Sequence, residues 1–141
     1  WKGTIKPSVS DALVCQLDLL SSLSKLVGSD IKVEDSKELL DVFLGKSNKG
    51  RESLVIEATS RTAYKEGDWV MIPPYQGPAV LKDVQIEIGN AKNFQLYNLK
   101  EDISQQNNLA ETNKEKLQDM LTKFEAIRGE GYKKIAKIEL K

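Results

Sequence analysis

The chain has 141 residues, 40% of them apolar and 30% charged, which is ordinary for a soluble globular protein. Lysine plus arginine equals aspartate plus glutamate at 21 each, so no excess charge directs the chain to nucleic acid or an anionic membrane. No apolar run approaches the roughly 18 residues of a membrane span. Histidine is absent, which removes the commonest general base and metal ligand. Cys15 is the only cysteine and excludes an intramolecular disulfide or a cysteine-built zinc site. The start at Trp1, without methionine, reads as a cut from a longer chain.

Trp1 to Pro7 is short, basic and interrupted by Gly3. Leu13-Val14-Cys15 reads as extended. Asp18 is expected to cap a helix, its carboxylate accepting from first-turn N–H groups. Leu19, Leu20, Leu23, Leu26 and Val27 then form one apolar face, ended by Gly28. A shorter helix is expected from Ser36 to Leu44, with Asp35 and Glu38 at capping-box spacing. Its buried stripe would be Leu39, Leu40, Phe43 and Leu44. The polar stretch 46–53, with Lys46, Lys49 and Arg51, reads as a linker.

Beyond the linker the apolar period changes. Leu54 to Thr59 is β-rich. Thr62 to Tyr64 and Trp69 to Ile72 flank Lys65-Glu66-Gly67-Asp68, a hairpin turn. Pro73 to Pro78 must be a loop, because its prolines cannot donate to a ladder. Val84, Ile86 and Ile88 alternate with polar residues as a half-buried strand, and Phe94 to Leu99 is the next. A helix is expected from Asn113 to Ile127, with Thr112 and Glu115 as its capping box. Leu117, Met120, Leu121, Phe124 and Ile127 share one face of it. Lys133 to Lys141 reads as a final strand or a frayed tail. The expected fold is α+β: an antiparallel sheet of about four strands against a C-terminal amphipathic helix, preceded by two short helices. The apolar stripes of those two helices are left to satisfy, and part of that surface is expected to belong to a missing partner.

In this order the segments resemble the C-terminal portion of a sulfatase of the alkaline-phosphatase superfamily. Trp1-Lys2-Gly3-Thr4-Ile5-Lys6 is similar to the segment after the last core strand of that family, with Lys2 in place of the usual proline. Leu13 to Leu20, Asp35-Ser36 with Leu39-Leu40 and Leu44-Gly45-Lys46, and Arg51 with Leu54 to Glu57 resemble the segments that follow. The Gly67-Asp68-Trp69 hairpin, the strand Leu96-Tyr97-Asn98-Leu99 and the helix entry Asn108-Leu109-Ala110 complete the match.

The resemblance implies that residues 1–45 end a catalytic domain and that 54–141 form a C-terminal subdomain. Family habit implies a formylglycine nucleophile, made within a Cys/Ser-x-Pro-x-Arg motif, beside calcium. Both belong to a missing N-terminal catalytic part, and this segment is expected to hold no cofactor of its own. Cys15-Gln16-Leu17-Asp18-Leu19 lacks the proline and arginine of that motif, so no catalytic residue or metal ligand is carried over. The parent would hydrolyse a sulfated small molecule or glycan, in a secreted or periplasmic setting, while this segment would be inactive alone. The tail of a related phosphodiesterase or phosphonate hydrolase, and a free-standing glycan-interaction module, are the alternatives.

Weighed on their own, Cys15 reads as a buried thiol in an apolar segment rather than a nucleophile, and no spacing singles out a carboxylate pair. Trp69 and Tyr97 read as core anchors rather than sugar platforms. The loop pairs Ser60-Arg61 and Tyr75-Gln76 are the candidate substrate rim, with Arg61 suited to bidentate binding of a sulfate or carboxylate.

Overall fold

The computed structural model describes residues 1–29, 31–58 and 61–129. The chain forms two compact units, Trp1–Glu52 and Ser53–Lys141.

The first unit is built on α1 (Asp18–Leu26) and the single-turn α2 (Leu40–Phe43). Its organising group is Asp18, which is fully buried. The expected cap is corrected: α1 has no side-chain cap, and Leu17 occupies the N-cap position. The Asp18 carboxylate instead accepts from the Cys15 and Lys37 backbone N–H groups, each at 3.0 Å. The guanidinium of Arg51 donates to both carboxylate oxygens, with Nε 2.8 Å from Oδ2. Burial alone raises the Asp18 pKa, but the Arg51 guanidinium and the two backbone donors outweigh it and hold the acid well below the usual carboxylate range.

The serines of α1 continue this polar seam. Ser21 N–H donates to Ser36 Oγ, and Ser21 Oγ donates to the Ser36 carbonyl. Leu39 N–H donates to Ser22 Oγ at 2.8 Å, and Ile31 N–H to Ser24 Oγ at 3.3 Å. The segment expected to begin the second helix therefore spends its backbone donors on α1. This explains why α2 starts only at Leu40 and why no capping box forms at Asp35, which sits at φ 59°. The residues of its expected buried stripe are only half-buried. At Gly50 the chain passes so close to Leu13 that a Cβ would meet its carbonyl oxygen at 2.3 Å. That approach lets Arg51 N–H donate to the Leu13 carbonyl at 2.7 Å and aims the guanidinium at Asp18.

The second unit is α+β. Strands β1 (Ser53–Ala58), β2 (Arg61–Glu66), β3 (Trp69–Ile72) and β6 (Gln95–Asn98) form an antiparallel sheet in the order β1-β2-β3-β6. Between β3 and β6 a separate two-stranded ribbon, β4 (Val80–Leu81) and β5 (Ile86–Glu87), is inserted. The half-buried strand expected over 84–88 is corrected by this ribbon: its β5 is only Ile86–Glu87, and Val84 and Ile86 are exposed.

Alternation along the sheet sends Tyr64, Met71 and Leu96 to one face, where α3 (Lys114–Arg128) lays Met120 and Phe124 on them. The Tyr64 and Phe124 rings lie 6.2 Å apart, tilted by 51°. Trp69 packs half-buried at the margin of this core. Ile127 belongs to the expected apolar face but is exposed. The expected Thr112–Glu115 box does not form: Asn113 is the N-cap residue without a side-chain bond, and Thr112 donates to the Leu109 carbonyl. Asn108 instead extends β6, accepting from Leu96 N–H at 3.0 Å and donating to the Phe94 carbonyl at 3.1 Å. Lys116 and Lys123 of α3 bind Glu66 of the sheet at 2.9 and 2.7 Å. The reading of 133–141 lies outside the described residues.

Replacing Asp18 by Asn strands the Arg51 guanidinium in a buried site, and denaturant unfolding should report a loss of about 3–5 kcal/mol. Because the folded pKa of Asp18 is depressed, its contribution is fully present above its unfolded value of 3.8 and is lost as pH falls below it. Asp18→Asn should therefore flatten that acid limb. In the other unit, Phe124→Ala should cost about 3–5 kcal/mol by the same measurement.

Candidate functional site

The sheet face turned away from α3 carries Ile56, Ala58, Ala63 and Ile72. The chain that leaves β3 passes Pro73-Pro74 and returns over the end of the sheet through the β4–β5 ribbon. Between ribbon and sheet lies a cleft of about 400 Å³, whose far wall is Leu81, Glu87, Ile88 and Gly89. Its volume is that of a small-ligand site and its lining is mainly aliphatic.

The two residues singled out from sequence, Arg61 and Tyr75, both lie on this cleft. Arg61 opens β2, and its Nε donates to Asn90 Oδ1 at the end of the ribbon. Asn90 is itself buried and donates through Nδ2 to the Pro78 carbonyl at 2.8 Å. Gly77 makes this contact possible: at φ 126° it sits where a Cβ would lie 2.9 Å from Asn90 Nδ2. The Tyr75 hydroxyl accepts from Thr62 N–H at 2.7 Å and lies 2.7 Å from Thr62 Oγ1. Its backbone N–H donates to the Ala91 carbonyl at 2.8 Å. The hydroxyl is thus committed to the scaffold, and Tyr75 offers the cleft its ring.

Asn90 and Glu87 are site residues that the sequence does not single out; Glu87 is one of the polar residues alternating with Val84, Ile86 and Ile88. The pairing of Arg61 with Asn90 joins positions 29 apart in sequence, and no local pattern announces it. Among the described residues of the lining Glu87 is the single carboxylate, and no acid–base pair is found there. Among the described residues no group of three or more His, Cys, Asp or Glu side chains converges to hold a metal ion. Cys15 is a half-buried free thiol in the first unit. The arrangement is one for binding: an aliphatic floor, a tyrosine ring and an oriented guanidinium.

No family model matches the chain. An N-acetylgalactosamine-6-O-sulfatase of Bacteroides thetaiotaomicron is 32% identical over 132 residues, covering 91% of this chain. The chain is homologous to part of a sulfatase. It spans about a quarter (26%) of that relative's length. A solved structure from work on glycosaminoglycan metabolism in Bacteroides thetaiotaomicron matches with a TM-score of 0.82 and 32% identity, over 91% of this chain and 28% of the other. A 2-O GAG sulfatase superposes with a TM-score of 0.55 at 15% identity, over 84% of this chain and 26% of its own. Ps i-CgsB, solved with k-i-k-neocarrahexaose, superposes at 0.56 and 22% identity, over 84% of this chain and 25% of its own. These two share the fold. The small share of the two 32%-identical relatives that is covered, 26% and 28%, is consistent with a C-terminal portion of a sulfatase.

Tyr75→Phe should leave the buried Thr62 N–H without its acceptor and destabilise the second unit by about 1–3 kcal/mol in denaturant unfolding.

Proposed function

We propose that the chain is the C-terminal region of a sulfatase, a sulfuric ester hydrolase, that acts on a sulfated glycan. The observation that carries this reading is the 32% identity to an N-acetylgalactosamine-6-O-sulfatase across 91% of the chain. Residues 1–45 are then the end of the catalytic domain, 46–53 the linker and 54–141 the C-terminal subdomain. Sulfate esters of amino sugars are the first substrates to test. The sulfatase matches favour this reading over a phosphodiesterase tail or a free-standing glycan module.

The formylglycine nucleophile and its calcium belong to the remainder of the parent, where they would supply the attacking oxygen and neutralise sulfate charge. The part left to this chain is recognition. The aliphatic floor of the cleft suits the apolar face of a sugar ring, and the Tyr75 ring extends it. Arg61, oriented by Asn90, places a guanidinium on the cleft, the group suited to an anionic sulfate or carboxylate. Prealignment by Asn90 lowers the rotamer entropy lost on binding.

The test compares the 141-residue chain with the whole parent on an aryl sulfate and on 6-sulfated N-acetylgalactosamine. The chain alone should be inactive and the parent active. Turnover by the isolated chain, or a parent inert toward every sulfate ester, overturns the reading. In the active parent, Arg61→Ala should raise KM for a sulfated glycan about tenfold while kcat stays within about twofold, the mark of lost uniform binding.

A further inference from the structure

The cleft carries opposite charges on its two walls. Arg61 stands on the sheet at the start of β2, and Glu87 stands on the ribbon at the end of β5. Among the described lining residues they are the single cation and the single anion, and the rest of the lining is neutral and mainly aliphatic. Glu87 takes part in no ion pair among the described residues, and it is exposed to a ligand. Its carboxylate is also felt at the sheet. Burial pushes the Tyr97 phenol pKa up, and the Asp102 and Glu87 carboxylates add to the rise. Tyr97 pairs with Val70, which puts it on the same sheet face as Ile72, the face that floors the cleft. The end of the ribbon is tied to that face: Gln95 Nε2 donates to the Gly89 carbonyl at 2.8 Å, and the Tyr97 hydroxyl donates to Gln95 Oε1 at 2.8 Å.

We infer that Glu87 sets the specificity of the cleft: it admits a sugar residue with one anionic group and rejects one with two. This rests on the proposed function for the ligand being a sulfated sugar. A cavity of about 400 Å³ is at the small end of ligand sites, so a bound ring lies close to both walls. The one anion pairs with the Arg61 guanidinium. Across the ring, Glu87 accepts from neutral donors, hydroxyls or an amide N–H. A second sulfate turned to the ribbon would meet Glu87 in place of those donors. Two acceptors then face each other without a proton to share, and their like charges are poorly screened between aliphatic walls. Arg61 thus supplies attraction for the first charge, and Glu87 supplies the repulsion that discriminates against the second.

The test measures KM of the whole parent for 6-sulfated N-acetylgalactosamine and for the same sugar carrying a second sulfate. In the unaltered parent the second sulfate should raise KM about tenfold, and in Glu87→Gln the two values should come within about threefold of each other. Glutamine keeps the size and an acceptor oxygen, so the charge alone is removed. The ratio is also proof against a folding defect, since a smaller folded fraction lowers the rate toward both sugars and changes neither KM. Raising salt from about 0.05 M to about 0.5 M should narrow the gap in the unaltered parent and change the ratio little in the variant. Equal KM values in the unaltered parent overturn the inference, as does a gap that Glu87→Gln or salt leaves in place. A parent that turns over neither sugar removes the sulfatase reading. Calorimetric Kd values for the same two sugars then replace KM and decide the role of Glu87 on their own. Absence of binding by either sugar overturns both.

Discussion

A buried carboxylate sets the architecture of the first unit. Asp18 is taken out of water completely, and an isolated charge there would cost several kcal/mol. It is tolerated because Arg51 and two backbone N–H groups surround it, drawn from residues 15, 37 and 51. Satisfying this one group therefore gathers the turn before α1, the segment after it and the end of the linker. Everything else in the unit follows: the serines of α1 are drawn onto the same polar seam, and the leucines are turned to the outside.

In the second unit the organising constraint is strand alternation. Every second residue of the sheet faces α3 and fills a conventional core around Met71, Leu96 and Phe124. The alternate residues cannot share that core. They are left as the floor of a cleft, roofed at one end by a ribbon that makes no ladder with the main sheet. The same pleat thus supplies stability on one side and a binding surface on the other. The guanidinium at the cleft edge is oriented by Asn90, which is in turn placed by a glycine that leaves room for it.

Much of the second unit was legible from residue order. The strand spacing, the Gly67 turn, the proline loop and the helix face follow local rules of period and turn chemistry, and the sheet and helix stand where those rules place them. Capping was the weak point. Asp18, Asp35 and Thr112 all sit at good cap positions, and none caps: Asp18 is claimed by Lys37 and Arg51 from far along the chain, Asp35 sits at positive φ, and Thr112 bonds back to the Leu109 carbonyl. The alternation at 84–88 misled because a two-residue ribbon strand shows the same period as a half-buried strand, and only its exposure separates them. At the cleft, Tyr75 could be picked out as a loop residue of suitable chemistry, and Arg61 for its guanidinium, although Arg61 opens β2 rather than lying in the expected loop. Their partners Asn90 and Thr62 could not.

The sequence by itself determined which residues have a helical or a strand period, that no histidine-based or disulfide chemistry is available, and that the ordered motifs are those of a sulfatase. These are properties of neighbours within a turn or a strand, and neighbours are what a sequence states. Tertiary structure alone decided which face of each element is covered. It turned α1 inside out around Asp18, brought Arg61 to Asn90, and opened a cleft behind the sheet. Those outcomes depend on pairing groups tens of residues apart, where the cost of an unpaired buried charge or N–H outweighs any local preference.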